Sequence, residues 1–137
     1  MFGRSLAAMA EEEKLAHDVY TTLVTSSGDS RFTRIAAAEQ RHLDAVRVLL
    51  SRYSVTDPTA GTVVGQFRTR SVQSSYDTLV AQGSRSLDAA LTVGRTIENS
   101  DIADLRTATR GVTAADVSTV YQRLLNGSQH HLAAFGG

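Results

Sequence analysis

The chain has 137 residues, enough for one domain with one core, and its 14 Lys plus Arg balance 14 Asp plus Glu to a formal net charge of zero. That balance gives no electrostatic case for nucleic acid or an anionic membrane surface, and the absence of cysteine removes disulfides, zinc ribbons and thiol catalysis. Any metal would have to be held by His, Asp and Glu, a donor set that suits iron, manganese or zinc.

No stretch approaches the roughly 20 apolar residues that cross a bilayer. The start of the chain runs straight into Glu11-Glu12-Glu13 without a hydrophobic signal run. A cytoplasmic protein with no membrane partner is the default expectation, an export leader already removed being the alternative.

The first helix is expected over residues 5–26, stopping before Ser27-Gly28-Asp29-Ser30, and a second follows at once over 31–53. Residues 54–69 contain Asp57-Pro58 and Gly61 and read as a loop. A short amphipathic segment comes next, with Val72, Tyr76, Leu79 and Val80 on one side and Gly83 at its end. The third long helix is expected over 86–110, with Gly111 as its stop. Thr113, three residues before the acidic Asp116, resembles the N-cap of a fourth helix that ends near Phe135. No internal repeat or domain boundary interrupts residues 1–137, which read as a single domain.

Tight turns make the first two helices antiparallel, and likewise the last two. Between the pairs lies a connection long enough to return along a helix of 23 residues, roughly 35 Å. The expected fold is therefore all-α, a four-helix bundle with one long crossover containing a short extra helix. A plain bundle with a long lid would give the same loop lengths.

Core positions of a bundle helix recur three and four residues apart. On that spacing the second helix presents Phe32, Ile35, Glu39, His42, Val46, Leu49 and Tyr53, with a carboxylate and an imidazole in the middle. The first presents Met9, Glu13, Ala16, Tyr20 and Leu23. The third presents Leu87, Leu91, Gly94, Glu98, Asp101 and Leu105, and the fourth Val117, Tyr121, Leu124, Ser128, His131 and Phe135. Burying one unpaired charge costs several kcal/mol, so Glu13, Glu39 and Glu98 on three seams require positive charge between them. Two divalent cations would balance about four carboxylates, and Glu13, Glu39, Glu98 and Asp101 supply them. Glu39-Gln40-Arg41-His42 is the sharpest local signal, because Glu-x-x-His places two donors on one helix face and recurs in di-iron and di-manganese carboxylate bundles.

Ordinary readings stand beside this one. Glu39 and His42 could be a buried hydrogen-bonded pair, and Glu13 and Glu98 could pair with Arg34 or Arg95. His131, near the C-terminus, could stack or cap. His17 and Asp101 stand between direct ligation and support of a ligand. His130 points off the seam. Tyr20 and Tyr121 are core residues, either of which could hydrogen-bond a ligand carboxylate. Glu11 and Glu12 read as a solvated first turn favoured by the helix dipole.

Residues 11–20, Glu39 with His42, residues 93–101 and residues 127–132 together resemble the ferritin-like superfamily, whose familiar members are ferritins and rubrerythrins. Within it, the chain is most similar to a small family of unknown function. The resemblance implies Glu13 as a ligand followed two turns later by Tyr20, Glu39 and His42 as the second-helix motif, and Glu98 as the third-helix ligand. The superfamily's fourth helix normally carries a second Glu-x-x-His; here the Glu position is Ser128, followed by Gln129, His130 and His131. Ser128 is a poor ligand, which His17 or Asp101 could compensate. An asymmetric site, mixed-metal or with one weakly held ion, and a site that has lost its second ion are the alternatives.

The resemblance further implies two iron ions with Glu39 and Glu98 bridging, Glu13 terminal, and His42 and His131 capping the outer sides. Such a centre would react with O2 or peroxide, as a ferroxidase, peroxide scavenger or oxidase. A second reading is a non-catalytic metal-binding module for sensing, sequestration or fold stabilisation, which the missing fourth-helix Glu favours. A third is a degenerate bundle acting through protein–protein contact. No extra C-terminal helix of the kind used by ferritin cages is present, so a monomer or homodimer is expected.

Overall fold

The computed structural model describes residues 5–137. Among them are five helices and no strand: α1 (Leu6–Ser27), α2 (Ser30–Arg52), α3 (Arg70–Gly83), α4 (Leu87–Arg110) and α5 (Ala115–Ala134). Each lies within a residue or two of the expected span. No helix among the described residues is long and apolar enough to cross a membrane.

Local chemistry sets most of the ends. Ser5 caps α1 by accepting a hydrogen bond from the Ala8 N–H at 3.1 Å, and Ser86 caps α4 from the Ala89 N–H at 3.0 Å. Gly28 closes α1 in the left-handed conformation (φ 67°), which a residue without Cβ adopts freely, and its N–H bonds the Val24 carbonyl. Asp29 then caps α2 at once through the Arg31 N–H, 2.9 Å away. Thr113 does not cap α5. The N-cap is Ala114, with no side-chain cap, because the α2 end fixes this terminus instead: Arg52 and the Tyr53 hydroxyl both donate to Asp116, at 2.8 and 2.7 Å.

α1 packs on α2, α4 on α5, α2 on α5 and α1 on α4, while α3 lies against α1 and α4. The far ends of α2 and α5 also meet, where Arg31 donates to the Ala134 carbonyl at 3.3 Å. These end contacts make α2 and α5 antiparallel.

The interior divides into two apolar clusters. One gathers Met9, Leu43, Val46, Leu49, Leu50, Leu105, Tyr121 and Leu124; the other gathers Val19, Tyr20, Leu23, Phe32, Ile35, Val93, Ile97 and Phe135. Between them, along all four long helices, lies a buried polar layer of Glu13, Glu39, His42, Glu98, Asp101, Ser128 and His131. Two seams need correction at their ends. Tyr53 is 45% exposed and Leu87 42% exposed, and Leu91 is only partly buried. In α4 the buried stripe begins instead at Ala90, Val93 and Ile97.

Candidate metal centre

The layer is built by helical spacing. Glu39 and His42 lie three residues apart on α2, Glu13 comes from the facing turn of α1, and Glu98 and His131 come from α4 and α5. Donor atoms of Glu13, Glu39 and His42 all lie within 4.8 Å of one another, and so do those of Glu39, Glu98 and His131. Glu39 belongs to both groups. The two imidazoles flank it: His42 Nδ1 is 3.1 Å and His131 Nδ1 3.2 Å from the same oxygen, Oε1. The outer carboxylates stand further off, Glu13 Oε2 at 3.7 Å from His42 and Glu98 Oε1 at 3.7 Å from His131.

These contacts are short, yet none has hydrogen-bond alignment. Glu13 Oε2, both Glu39 oxygens, Glu98 Oε1, Asp101 Oδ2, Ser128 Oγ and both imidazole Nδ1 atoms are buried without a hydrogen-bond partner. Buried polar atoms are nearly always satisfied, and leaving one unsatisfied costs about 1–3 kcal/mol. Donor atoms of Glu13, Glu39, Glu98 and the two imidazoles converge on one place. Buried oxygens and ring nitrogens that crowd together without aligned hydrogen bonds are the donor arrangement a cation would complete.

The electrostatics follow from crowding. Burial, then the Glu39 charge, pushes the Glu13 carboxyl well above the usual carboxylate range, and the same two causes raise Glu98. Burial would raise Glu39 as well, but His131 and His42 on either side outweigh it and hold this carboxyl low. Burial depresses the imidazoles, whereas the neighbouring carboxylates prevail and lift His42 to about 9 and His131 to about 10. Glu39 is thus the anchor of negative charge, and the histidines hold protons that a cation would replace.

The residues around the donors divide clearly. The Tyr20 hydroxyl, fully buried, donates to Glu98 Oε2 at 2.6 Å and fixes the orientation of that carboxylate. Tyr121 does not join the layer; it packs in the first apolar cluster. His17 also lies away from it, its Nδ1 2.7 Å from Asp18 on the face of α1 that the 54–69 segment covers. Asp101 is buried in the layer, next to Glu12 rather than within either donor group. Ser128 is fully buried and contributes only a hydroxyl, and His130 is exposed. Arg34 and Arg95 do not pair with the layer: Arg34 donates to Ser30, and Arg95 to the Phe135 carbonyl and Thr92. Glu11 is not solvated, because the Thr69 hydroxyl donates to it at 2.5 Å.

Two features escape seam spacing. Gly127 is one: a Cβ there would lie 2.4 Å from His42 Cε1, so the missing side chain is the space in which the His42 ring sits. A glycine inside a helix costs about 1 kcal/mol relative to alanine, and its place directly before Ser128 was the available signal. The other is Lys14, the chain's one lysine, buried at 5% exposure. Its ammonium donates to Asp18 Oδ2 at 2.5 Å and to the carbonyls of Val63 and Gln66 at 2.9 Å each, and it lies 4.2 Å from the Phe67 ring centroid. The Gly65 N–H adds a bond to Asp18 at 3.0 Å, so this network clasps the 54–69 loop to α1.

The profile of the family described as Uncharacterized protein domain (DUF2202) matches residues 3–136. The chain is 42% identical over 130 residues to the uncharacterized protein MJ0754 of Methanocaldococcus jannaschii, covering 95% of this chain and 70% of that protein. The crystal structure of the hypothetical protein MJ0754 superposes with a TM-score of 0.92, again covering 95% of this chain and 74% of the other. Sequence and architecture agree over nearly the whole length: the chain belongs to the DUF2202 family.

Proposed function

We propose that this chain is a single ferritin-like domain that binds two divalent metal ions in the buried layer, iron first, with manganese or zinc as alternatives compatible with the donors. In this reading α1, α2, α4 and α5 are the four bundle helices. α5 runs antiparallel to both α2 and α4, so α2 and α4 point the same way, and the 53–86 segment with α3 is the long crossover that returns the chain. Glu13 and His42 would hold one ion and Glu98 and His131 the other, with Glu39 belonging to both donor groups. The observation that carries the proposal is the convergence of buried oxygens and Nδ1 atoms that lack hydrogen-bond partners. A buried network kept only for packing would leave few of them unsatisfied.

Bound iron would supply redox chemistry toward O2 or peroxide, giving a ferroxidase, peroxidase or oxidase activity. The chain's own part is to hold Glu39 charged between two imidazoles, to orient Glu98 through Tyr20, and to keep bulk water out with the two apolar clusters. One observation favours a second reading, metal binding without turnover: Ser128 fills the fourth-helix position with a hydroxyl, leaving Glu39 as the only carboxylate common to both groups.

Elemental analysis of protein purified without chelator, beside a Glu39→Ala, His42→Ala double variant, tests the proposal. About two ions per chain, lost in the variant, support it. One ion, with no accelerated Fe(II) oxidation, selects the second reading. No metal after anaerobic reconstitution with Fe(II), Mn(II) and Zn(II) overturns both.

A further inference from the structure

In its donor spacing the polar layer is nearly two-fold symmetric about Glu39, with one break. His42 Nδ1 and His131 Nδ1 stand 3.1 and 3.2 Å from the same Glu39 oxygen, and each is 3.7 Å from its outer carboxylate, Glu13 or Glu98. The two rings stack with centroids 5.8 Å apart. On α2 the residue three before the histidine is Glu39; on α5 the residue three before the histidine is Ser128. A serine therefore occupies the place that the symmetry assigns to a second shared carboxylate. Ser128 is fully buried, and its Oγ has no hydrogen-bond partner among the described residues. Hydroxyls inside helices can bond the carbonyl four residues back, as Thr92, Thr96, Thr109 and Thr119 do here at 2.7–3.0 Å. Ser128 does not, which leaves its proton uncommitted inside the layer.

We infer that the Ser128 position is a binding site for a small exogenous monocarboxylate, of the size of formate or acetate, which takes the place of the second shared carboxylate beside the metal ions. The inference rests on the two-ion reading above and names a ligand for that centre. Charge supports it. Two divalent ions carry four positive charges, whereas the two donor groups supply three carboxylates, Glu13, Glu39 and Glu98, and imidazoles bind as neutral ligands. Asp101, the other acid buried in the layer, interacts with Glu12 and belongs to neither group. One positive charge is left over in a low-dielectric interior, where an unpaired charge is strongly unfavourable, and one monoanion cancels it. Size supports it too. A serine ends at Oγ where a glutamate continues into a carboxyl group, so the symmetric position is short by the volume of one carboxyl group. The uncommitted Ser128 hydroxyl is the donor for that carboxylate, in a charge-assisted hydrogen bond.

The test is anion binding to the loaded protein. Protein carrying Co(II), whose visible d–d absorption reports its ligands, is titrated with formate, acetate and the bulkier pivalate at constant pH and ionic strength, and the heat of binding is recorded beside the spectrum. Wild type, Ser128→Ala and Ser128→Glu are compared, with bound cobalt per chain measured for each. The expected result in wild type is a saturable response to formate and acetate but not to pivalate. Affinity should fall about tenfold or more in Ser128→Ala, which loses the donor, and the response should vanish in Ser128→Glu, whose own carboxylate fills the position. Two Co(II) ions per chain with no response to formate or acetate overturns the anion site while the metal centre stands. Equal affinity in wild type and Ser128→Ala overturns it too, by placing the anion elsewhere. Ser128→Ala removes only the hydroxyl and favours the helix, so it decides the matter even where Ser128→Glu fails to fold. One Co(II) per chain abolishes the surplus positive charge and overturns the inference with it. Failure of wild type to take up Co(II) at all removes the metal reading and the anion site together.

Discussion

Two buried sets of charges lie within two turns of each other on α1, and they are finished in opposite ways. Around Lys14 and Asp18 the donors and acceptors are matched: the ammonium meets three oxygens, and Asp18 takes bonds from Lys14, the Gly65 N–H and the His17 side. Around Glu39 the acceptors outnumber the aligned donors, and atom after atom is left without a partner. Both sets would cost several kcal/mol if unpaired. The first has been settled by the chain itself and is structural; it fastens the loop that joins the two halves. The second is incomplete with protein atoms alone, which is why it is the candidate site.

That contrast can be broken most sharply at Lys14. Lys14→Met leaves Asp18 buried without its cation and is expected to cost about 3–5 kcal/mol in urea unfolding while the surviving folded protein binds its full complement of metal. Loss of metal alongside stability would show that the two charge sets are one. Gly127→Ala reverses the pattern: it restores helix propensity worth about 1 kcal/mol but drives a Cβ into the His42 ring, so metal should be lost from the His42 side first. Elemental analysis of the folded variant should find the deficit; a wild-type metal content would mean that His42 is no ligand. Tyr20→Phe removes only the proton donated to Glu98. It is expected to weaken metal binding roughly 10–100-fold in chelator competition with the same stoichiometry. Unchanged affinity would demote Tyr20 to packing.

The mildest effect concerns pH. Burial raises the Asp18 carboxyl, but His17, Lys14 and the Gly65 N–H together outweigh it, so its folded pKa lies below the ordinary value. A depressed carboxyl stabilises the fold above its unfolded pKa and loses that contribution as pH falls through the folded one. The stability gap between wild type and Asp18→Asn should therefore be full near neutrality and close in acid below the unfolded aspartate value of about 3.9. A gap that persists at the acid end would assign the stabilisation to shape rather than charge.

Much of this was legible in the chain. Helix spans followed from spacing and stop signals, and Glu13, Glu39, His42, Glu98 and His131 from carboxylates and imidazoles that interrupt apolar seams. They do lie together. What spacing could not supply was lateral detail. His17 shares a helix face with Glu13 one turn away, yet its ring turns to Asp18 because a loop covers that side. Glu11 reads as a surface acid until residue 69 folds back over it. Leu87 fits the α4 seam by number, yet it is 42% exposed, and the buried stripe of α4 runs through Ala90, Val93 and Ile97 instead. The misses at His17 and Glu11 involve the crossover segment, whose position depends on tertiary contacts and not on local periodicity.

The sharing of Glu39 also sets an order of dependence. Glu13, Glu39 and His42 all stand on the α1–α2 hairpin, a contiguous piece of chain, whereas Glu98 and His131 must borrow Glu39 from the other half. The first donor group can therefore assemble as soon as one hairpin folds. The second exists only while both hairpins are docked, so its occupancy would report the joining of the two halves, and an ion held there would act as a rivet between them.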